Sequence, residues 1–285
     1  MFLAITLFAC SETETTEEET TTTEMEEPQM ASFEKIWETD TVFKVPESAL
    51  YDAKSEMIYV ANVNQNPWEK DENGFISKMN KSGQAVEVEW VGDLSSPKGM
   101  GIYNGVLYVT DVDELVAINL EDASIIEKHK LEGAEKLNDI SVAADGTVFF
   151  TDMGTGKIHT FKDGQIETWK DGLENPNGIF VEDDRILIAA GNSTFKAYNI
   201  NTKEEQLLGE GVNSGDGIVK TSSGAYVVSD WNGEIFLIED QKVNSLFSSK
   251  DQGVQTADIG MIEGDDIVLV PTFFGNQVVA YQLNK

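Results

Sequence analysis

"KLNDIS" (136–141), "NPNGIF" (175–180) and "NSGDGIV" (213–219) place a short oxygen-bearing side chain, Asn138, Asn177 or Asp216, at one phase of a repeat. In each, Asp or Gly follows, and then an apolar run that alternates like a strand. Aligning on the residue after that slot gives Ser48, Gly99, Asp139, Gly178, Gly217 and Asp258, at spacings of 51, 40, 39, 39 and 41 residues. Around each slot the chain repeats a short strand ("MGIY", "ISVA", "IFVE", "IVKT"), a second strand ("GVLYVTD", "GTVFFTD", "DRILIAA", "GAYVVSD", "DDIVLVP") and a third ("KIHTF", "EIFLI"). Nothing after Phe33 sustains a helical period. Six units of about forty residues with about four short strands each point to an all-β, six-bladed β-propeller. The last unit ends after "QVVAYQL" (277–283) and lacks a fourth strand, while "FEKIWET" (33–39) precedes the first unit. The N-terminal segment is therefore expected to close the ring as the outer strand of the last blade, over a domain of residues 33–285.

The slot reads Glu47, Lys98, Asn138, Asn177, Asp216 and Ala257 around the ring. Propeller inner strands start around one axis, so these side chains should converge. Two carboxylates and two amides form a hard-oxygen set that suits one divalent cation, Ca²⁺ first, then Mg²⁺ or Mn²⁺, with Zn²⁺ less expected. The ordinary structural role for such residues is to cap turns that lead into strands. The first unit carries about eleven extra residues in "NVNQNPWEKDENG" (62–74), which should overhang the ring. Trp68, Met153, Trp231, Phe273 and Phe274 fall in or beside connections on the same face, where they either wall a pocket or pack between blades. Asp111, Asp152 and Asp230 end second strands and should hold turns, or else support the mouth from behind.

"VPESALYDAKSEMIYVANV" (45–63), "KLNDISVAADGTVFFTD" (136–152), "NPNGIFVEDDRILIAAGN" (175–192) and "SGDGIVKTSSGAYVVSD" (214–230) resemble the motif segments of the senescence marker protein (regucalcin), gluconolactonase and luciferin-regenerating-enzyme-like family. The resemblance runs over residues 44–285. It implies a six-bladed propeller with one divalent cation at its mouth, held by Glu47, Asn177 and Asp216. It also implies Asp216 as general base and Asn138 beside metal and substrate. Where the family usually reads "EGPVW", this chain has "ESALY", and Lys98 brings a cation into the ring. The expected activity is hydrolysis of a lactone or related cyclic ester, with Asp216, Asn138 and Lys98 as the catalytic group. The competing class is a non-catalytic binding propeller with a structural metal.

The 285-residue chain has a net charge of −31, which repels phosphate backbones and argues against nucleic-acid binding. Its one cysteine, Cys10, allows no internal disulfide. "MFLAITLFAC" (1–10) is too short to span a bilayer and reads as a secretory signal ending in a lipobox, with Cys10 lipidated. A chance apolar start is the alternative. Residues 11–32 begin with a Glu- and Thr-rich run that is expected to be a disordered tether. The protein is thus expected to be an exported monomer, lipid-anchored in a bacterial cell envelope, periplasmic or surface-exposed. It should meet the membrane only through its anchor, and its partner should be a small-molecule substrate such as a lactone. Cys10→Ser, expressed with a complete signal, should move the protein from the membrane to the soluble fraction. Unchanged membrane association would refute the lipobox.

Overall fold

The alternating runs form 24 strands, beginning with β1 (Ser32–Glu38). The structure, a computed structural model, describes residues 1–2 and 31–284, so Cys10 and the run 11–30 lie outside the described residues. Blade 1 holds β2 (Pro46–Asp52), β3 (Met57–Asn62), β4 (Gly74–Asn80) and β5 (Ala85–Leu94). Blade 2 holds β6 (Pro97–Tyr103), β7 (Val106–Asp111), β8 (Glu114–Asn119) and β9 (Ile125–Lys130). Blade 3 follows with β10 (Leu137–Val142), β11 (Val148–Asp152), β12 (Lys157–Lys162) and β13 (Gln165–Lys170). Blade 4 comprises β14 (Pro176–Glu182), β15 (Arg185–Ala190), β16 (Thr194–Asn199) and β17 (Glu205–Glu210). β18 (Gly215–Lys220), β19 (Tyr226–Asp230), β20 (Glu234–Glu239) and β21 (Lys242–Ser248) make blade 5. Blade 6 is β22 (Gly260–Ile262), β23 (Ile267–Pro271), β24 (Val278–Asn284) and β1. The described residues contain no α-helix, only two single 3₁₀ turns.

The inner strands touch in the cyclic order β2, β6, β10, β14, β18, β22 and back to β2, which closes a six-bladed propeller. Six buried clusters fill the six seams between blades. Tyr59 and Ile76 meet Leu107 and Val109 between blades 1 and 2. Leu115 meets Leu137 and Phe150 at the next seam, and Phe149 meets Ile186 and Ile188 at the third. Leu187 and Phe195 pack on Val228, Val227 and Leu237 on Val268, and Leu269 on Val60. Second strands such as β3, β11 and β23 are buried along almost their whole length because both of their faces look into a seam, whereas outer strands such as β9 and β13 are largely exposed.

Closure runs as the strand count requires. β1 pairs antiparallel with β24 from Ser32–Asn284 to Glu38–Val279, beginning one residue ahead of Phe33. Phe33 stacks on Tyr281 with ring centroids 4.6 Å apart. Thr39 locks the end of the pairing: its amide donates to Val278 O at 3.0 Å, and its hydroxyl accepts from Val278 N at 3.1 Å. Removing residues 1–39 should therefore cost on the order of 5 kcal/mol, from lost aromatic burial and hydrogen bonds, and expose the edge of β24. Removing residues 1–30 should leave the urea midpoint of the domain unchanged. Equal midpoints for the two truncations would show that β1 does not close the ring.

Candidate functional site

Each slot residue sits where its inner strand leaves the ladder. The pairing of inner with second strand is irregular between Pro46 and Ser48, Pro97 and Met100, Leu137 and Ile140, Pro176 and Ile179, and Gly215 and Ile218. Such a bulge re-aims a side chain and leaves backbone groups unpaired. Hydroxyls take up those groups and join neighbouring blades, three of them from second strands and one, Ser48, from the inner strand β2. Thr151 Oγ1 accepts from Asp139 N at 3.0 Å and donates to Asn177 O at 2.9 Å. Ser229 Oγ accepts from Gly217 N at 2.8 Å and donates to Ala257 O at 2.9 Å. Thr110 Oγ1 donates to Asn138 O, and Ser48 Oγ to Lys98 O at 2.6 Å.

The aspartates after those hydroxyls hold the backbone that leads into the slots. Asp111 accepts from Ser95 N and Ser96 N, Asp152 from Lys136 N, and Asp230 from Ser214 N. Asp152 and Asp230 also hold the turns that follow them, through Gly154 N and Asn232 N. Their role is to position the ring from behind. His159 is buried with Nδ1 3.3 Å from Thr168 Oγ1, and His129 packs on Phe161, so the two histidines form no dyad.

All six slot side chains are buried. Asn138 Nδ2 donates to Asn177 Oδ1 at 2.6 Å, and Asn177 Nδ2 donates to Asp216 Oδ1 at 2.9 Å, giving one continuous polar arc across blades 3 to 5. Met153 Sδ takes the second proton of Asn138 at 2.9 Å. Lys98 is 1% exposed, donates to Ser96 Oγ at 3.0 Å, and lies 4.3 Å from the ring centre of Trp68. Trp68 belongs to the long first-blade connection, which Ser96 Oγ holds through Pro67 O at 2.7 Å. That connection overhangs the blade 2 side of the ring. On the far side of blade 1, Ala257 of blade 6 is covered by Phe273, with Val63, Val45 and Trp231 around it.

Two carboxyls escaped the sequence reading. Asp139 and Asp258 follow the slot in blades 3 and 6, where three other units carry glycine. Their carboxyls hydrogen-bond to each other. Asp139 also accepts from Ile140 N at 2.6 Å and Ile179 N at 2.8 Å. The signal was an acid in a glycine phase. Both line a cavity of about 600 Å³ that runs along the inner strands away from the slot and opens near Tyr51, Asp52, Thr221 and Glu263, on the other face. The polar arc thus lies between this cavity and the Trp68 side.

Burial dominates the electrostatics. It raises the Glu47 carboxyl to about 7 although Lys98 opposes the shift. Asp216 is raised well above its ordinary value by burial first, then by Glu47 and Asp139. Lys98 is lowered to about 8 by burial, with Glu47, Asp111 and Asp216 holding its charge. Glu47 Oε2 is buried with no hydrogen-bond partner. An orphaned carboxylate oxygen, a second carboxylate and an amide oxygen in one ring fit a hard divalent cation. Among the described residues no three carboxylate, imidazole or thiolate groups converge as ligands, so the candidate set rests on Asn177 as its third member.

No family model and no curated protein matches the chain. Solved structures do. A gluconolactonase from Xanthomonas campestris aligns with TM-score 0.67 and 13% identity over 85% of this chain and 87% of that one. A catalytically inactive virginiamycin B lyase from Staphylococcus aureus, bound to quinupristin, aligns with TM-score 0.64 and 13% identity over 90% of this chain and all of that one. A chain of a nidogen/laminin complex aligns with TM-score 0.64 and 16% identity over 76% of this chain and 84% of that one. At such identities the likeness is one of fold: this chain has the propeller architecture of the gluconolactonase and the lyase.

Proton linkage gives the site a testable signature. Glu47 and Asp139 have folded-state pKa values of about 7, above the ordinary 4.5 and 3.8. Between those limits the folded domain holds protons that the unfolded chain has released. Stability without added metal should therefore be greater at pH 5 and fall as pH rises through about 7. Lys98 has the opposite sign, but only above pH 8, where the unfolded chain retains the proton. In EDTA, urea unfolding should show a loss of about 1–3 kcal/mol between pH 5 and pH 8. Stability that stays flat or rises over that range would contradict the burial of these carboxyls.

Proposed function

We propose that the protein is a divalent-cation-dependent hydrolase of a lactone or related cyclic ester, working at the slot ring and carried to the cell envelope by its N-terminal anchor. The observation that carries this reading is the buried Glu47 Oε2, without a partner, in the same ring as Asp216. Two carboxylates enclosed together repel each other unless a cation or a proton intervenes. Glu47, Asn177 and Asp216 would hold the cation, which when bound supplies Lewis acidity and charge neutralisation. Asp216, raised by burial, is basic enough to take the proton of an attacking water, and its bond from Asn177 Nδ2 fixes its orientation. Asn138 sits next in the arc, with an amide that can turn from Met153 toward a substrate oxygen. The Lys98 ammonium, largely protonated at neutral pH, offsets negative charge that develops over the ring.

A second reading draws on the closure of the ring. Trp68 covers Lys98, and the slot side chains are all buried, as they would be in a binding propeller whose cation is structural. One set of measurements separates the two. The domain stripped with EDTA should bind one Ca²⁺, Mg²⁺, Mn²⁺ or Zn²⁺ by calorimetry, and at 100 times Kd it should gain about 2.7 kcal/mol of stability. Asp216→Asn should weaken that binding and lower lactone turnover by about 10²-fold or more. Lys98→Met should tighten metal binding. If turnover is lost as well, Lys98 serves the substrate. Metal binding without turnover of any lactone favours the binding propeller, and absence of metal binding removes the metal reading altogether.

A further inference from the structure

The ring is asymmetric. Five slots carry polar or charged side chains, and the sixth carries Ala257. Above Ala257 lies an aromatic stack: Trp231 meets Phe273 edge to face at 4.5 Å, and Phe273 meets Phe274 edge to face at 4.8 Å. Trp231 follows β19 and the two phenylalanines follow β23, so both come from second-to-third-strand connections, the same kind that brings Trp68 over Lys98. Phe273 is buried, yet its backbone has φ of 47°, in the left-handed region that a bulky residue occupies at a cost of about 1–3 kcal/mol. The neighbouring turn is pinned: Asn276 Oδ1 accepts from Val45 N at 2.9 Å, just ahead of Glu47. The fold maintains a strained turn, and one result is an aromatic side chain left in the open.

Phe274 is 62% exposed. The other large exposed hydrophobics of residues 31–284 are the aliphatic Ile36, Val86, Ile126 and Leu207, each on the outermost strand of its blade. Scattered singly on outer edges, such residues need no explanation. Phe274 differs because it continues an aromatic stack whose middle member, Phe273, is buried on a ring residue. An alkyl or aryl group laid on this wall gains from desolvation, whereas a polyhydroxylated ring, whose hydroxyls stay in water, offers it less apolar area.

We propose that the substrate is a cyclic ester bearing an apolar substituent, which packs against Phe274 and Trp231 over the Phe273 side chain that covers Ala257. This rests on the hydrolase reading above and names the substrate class of that site. A binding measurement and a turnover measurement test the two independently. The lactam 6-pentyl-2-piperidinone, which resists hydrolysis, should bind the metal-loaded domain about 10-fold or more tightly than unsubstituted 2-piperidinone by calorimetry. Phe274→Ala should bring that ratio to within about 2-fold. Since Phe274 is largely exposed, the variant should fold, and an unchanged urea midpoint confirms it. In turnover, kcat/KM for δ-decalactone should exceed that for δ-valerolactone and for glucono-1,5-lactone, mainly through KM. Equal or undetectable binding of the two lactams, or a ratio untouched by Phe274→Ala, overturns the proposal even if lactones are hydrolysed. Selective lactam binding without hydrolysis of any lactone supports the apolar subsite and sinks the hydrolase reading alone.

Discussion

Six inner strands can meet around one axis only if their backbones come into contact, and everything else in this molecule follows from how that contact is made. A Cβ on Gly178 would stand 1.5 Å from Asp216 O, and one on Gly260 1.8 Å from Ala49 O. Glycine at these points is a requirement of the close approach. Where strands approach so closely, the inner strand slips out of register with its own second strand and its amides and carbonyls need new partners. Thr151 and Ser229 meet that need with single hydroxyls, each accepting from its own blade and donating to the next. An unpaired buried amide or carbonyl costs about 1–3 kcal/mol, so these hydroxyls contribute to ring closure as well as to local order. The same slippage turns the slot side chains toward the axis. Closure and the candidate site therefore have one cause.

That cause also concentrates charge. Glu47 and Asp216 stand in the slot layer, with Asp139 and Asp258 directly after the slot in blades 3 and 6, and Lys98 is the one cation among the slot residues. Desolvation is the leading influence on all five, ahead of any pairwise attraction. Burial therefore prevails over ion pairing here, and it shifts every carboxyl of the centre toward its protonated form. Asp139 is the best supported of the four, with two backbone amides and the Asp258 carboxyl on its oxygens. Glu47 Oε2 is the worst supported, with none. The contrast separates a carboxyl built into the frame from one left for something else to satisfy.

The propeller was legible because its signal repeats: strand alternation near a forty-residue period survives the divergence of any single unit. Closure by residues 33–39 was legible by counting strands. The phase of Glu47, Lys98, Asn138, Asn177, Asp216 and Ala257 was legible for the same reason, since equivalent positions of a closed repeat must converge. Asp139 and Asp258 were not, because Gly99, Gly178 and Gly217 at that position made it read as turn chemistry. The hydroxyls of Thr110, Thr151 and Ser229 were visible in every "TD" or "SD" but stood in the shadow of the acid beside them. Trp68 over Lys98 lay beyond sequence periodicity, because an insertion that occurs once has no repeat to fix where it lands.

The ring divides into three chemical sectors, and the division follows blade by blade. Blades 3, 4 and 5 supply an amide–amide–carboxyl chain in which each amide donates to the next acceptor, leaving the Asp216 carboxyl oriented at the end of the arc. Blade 2 supplies a lone cation, sheltered by an aromatic face that stabilises it without neutralising it. Blade 6 supplies no polar slot group and is covered by Phe273 and Trp231. Glu47, in blade 1, stands between the cationic and apolar sectors and has a free oxygen because neither neighbour offers it a hydrogen bond. A uniformly polar ring would have satisfied Glu47 as it satisfies Asp216. The apolar sixth sector and the stacked lysine leave one carboxylate unsatisfied, and that local deficit is what suits the centre to hold a ligand.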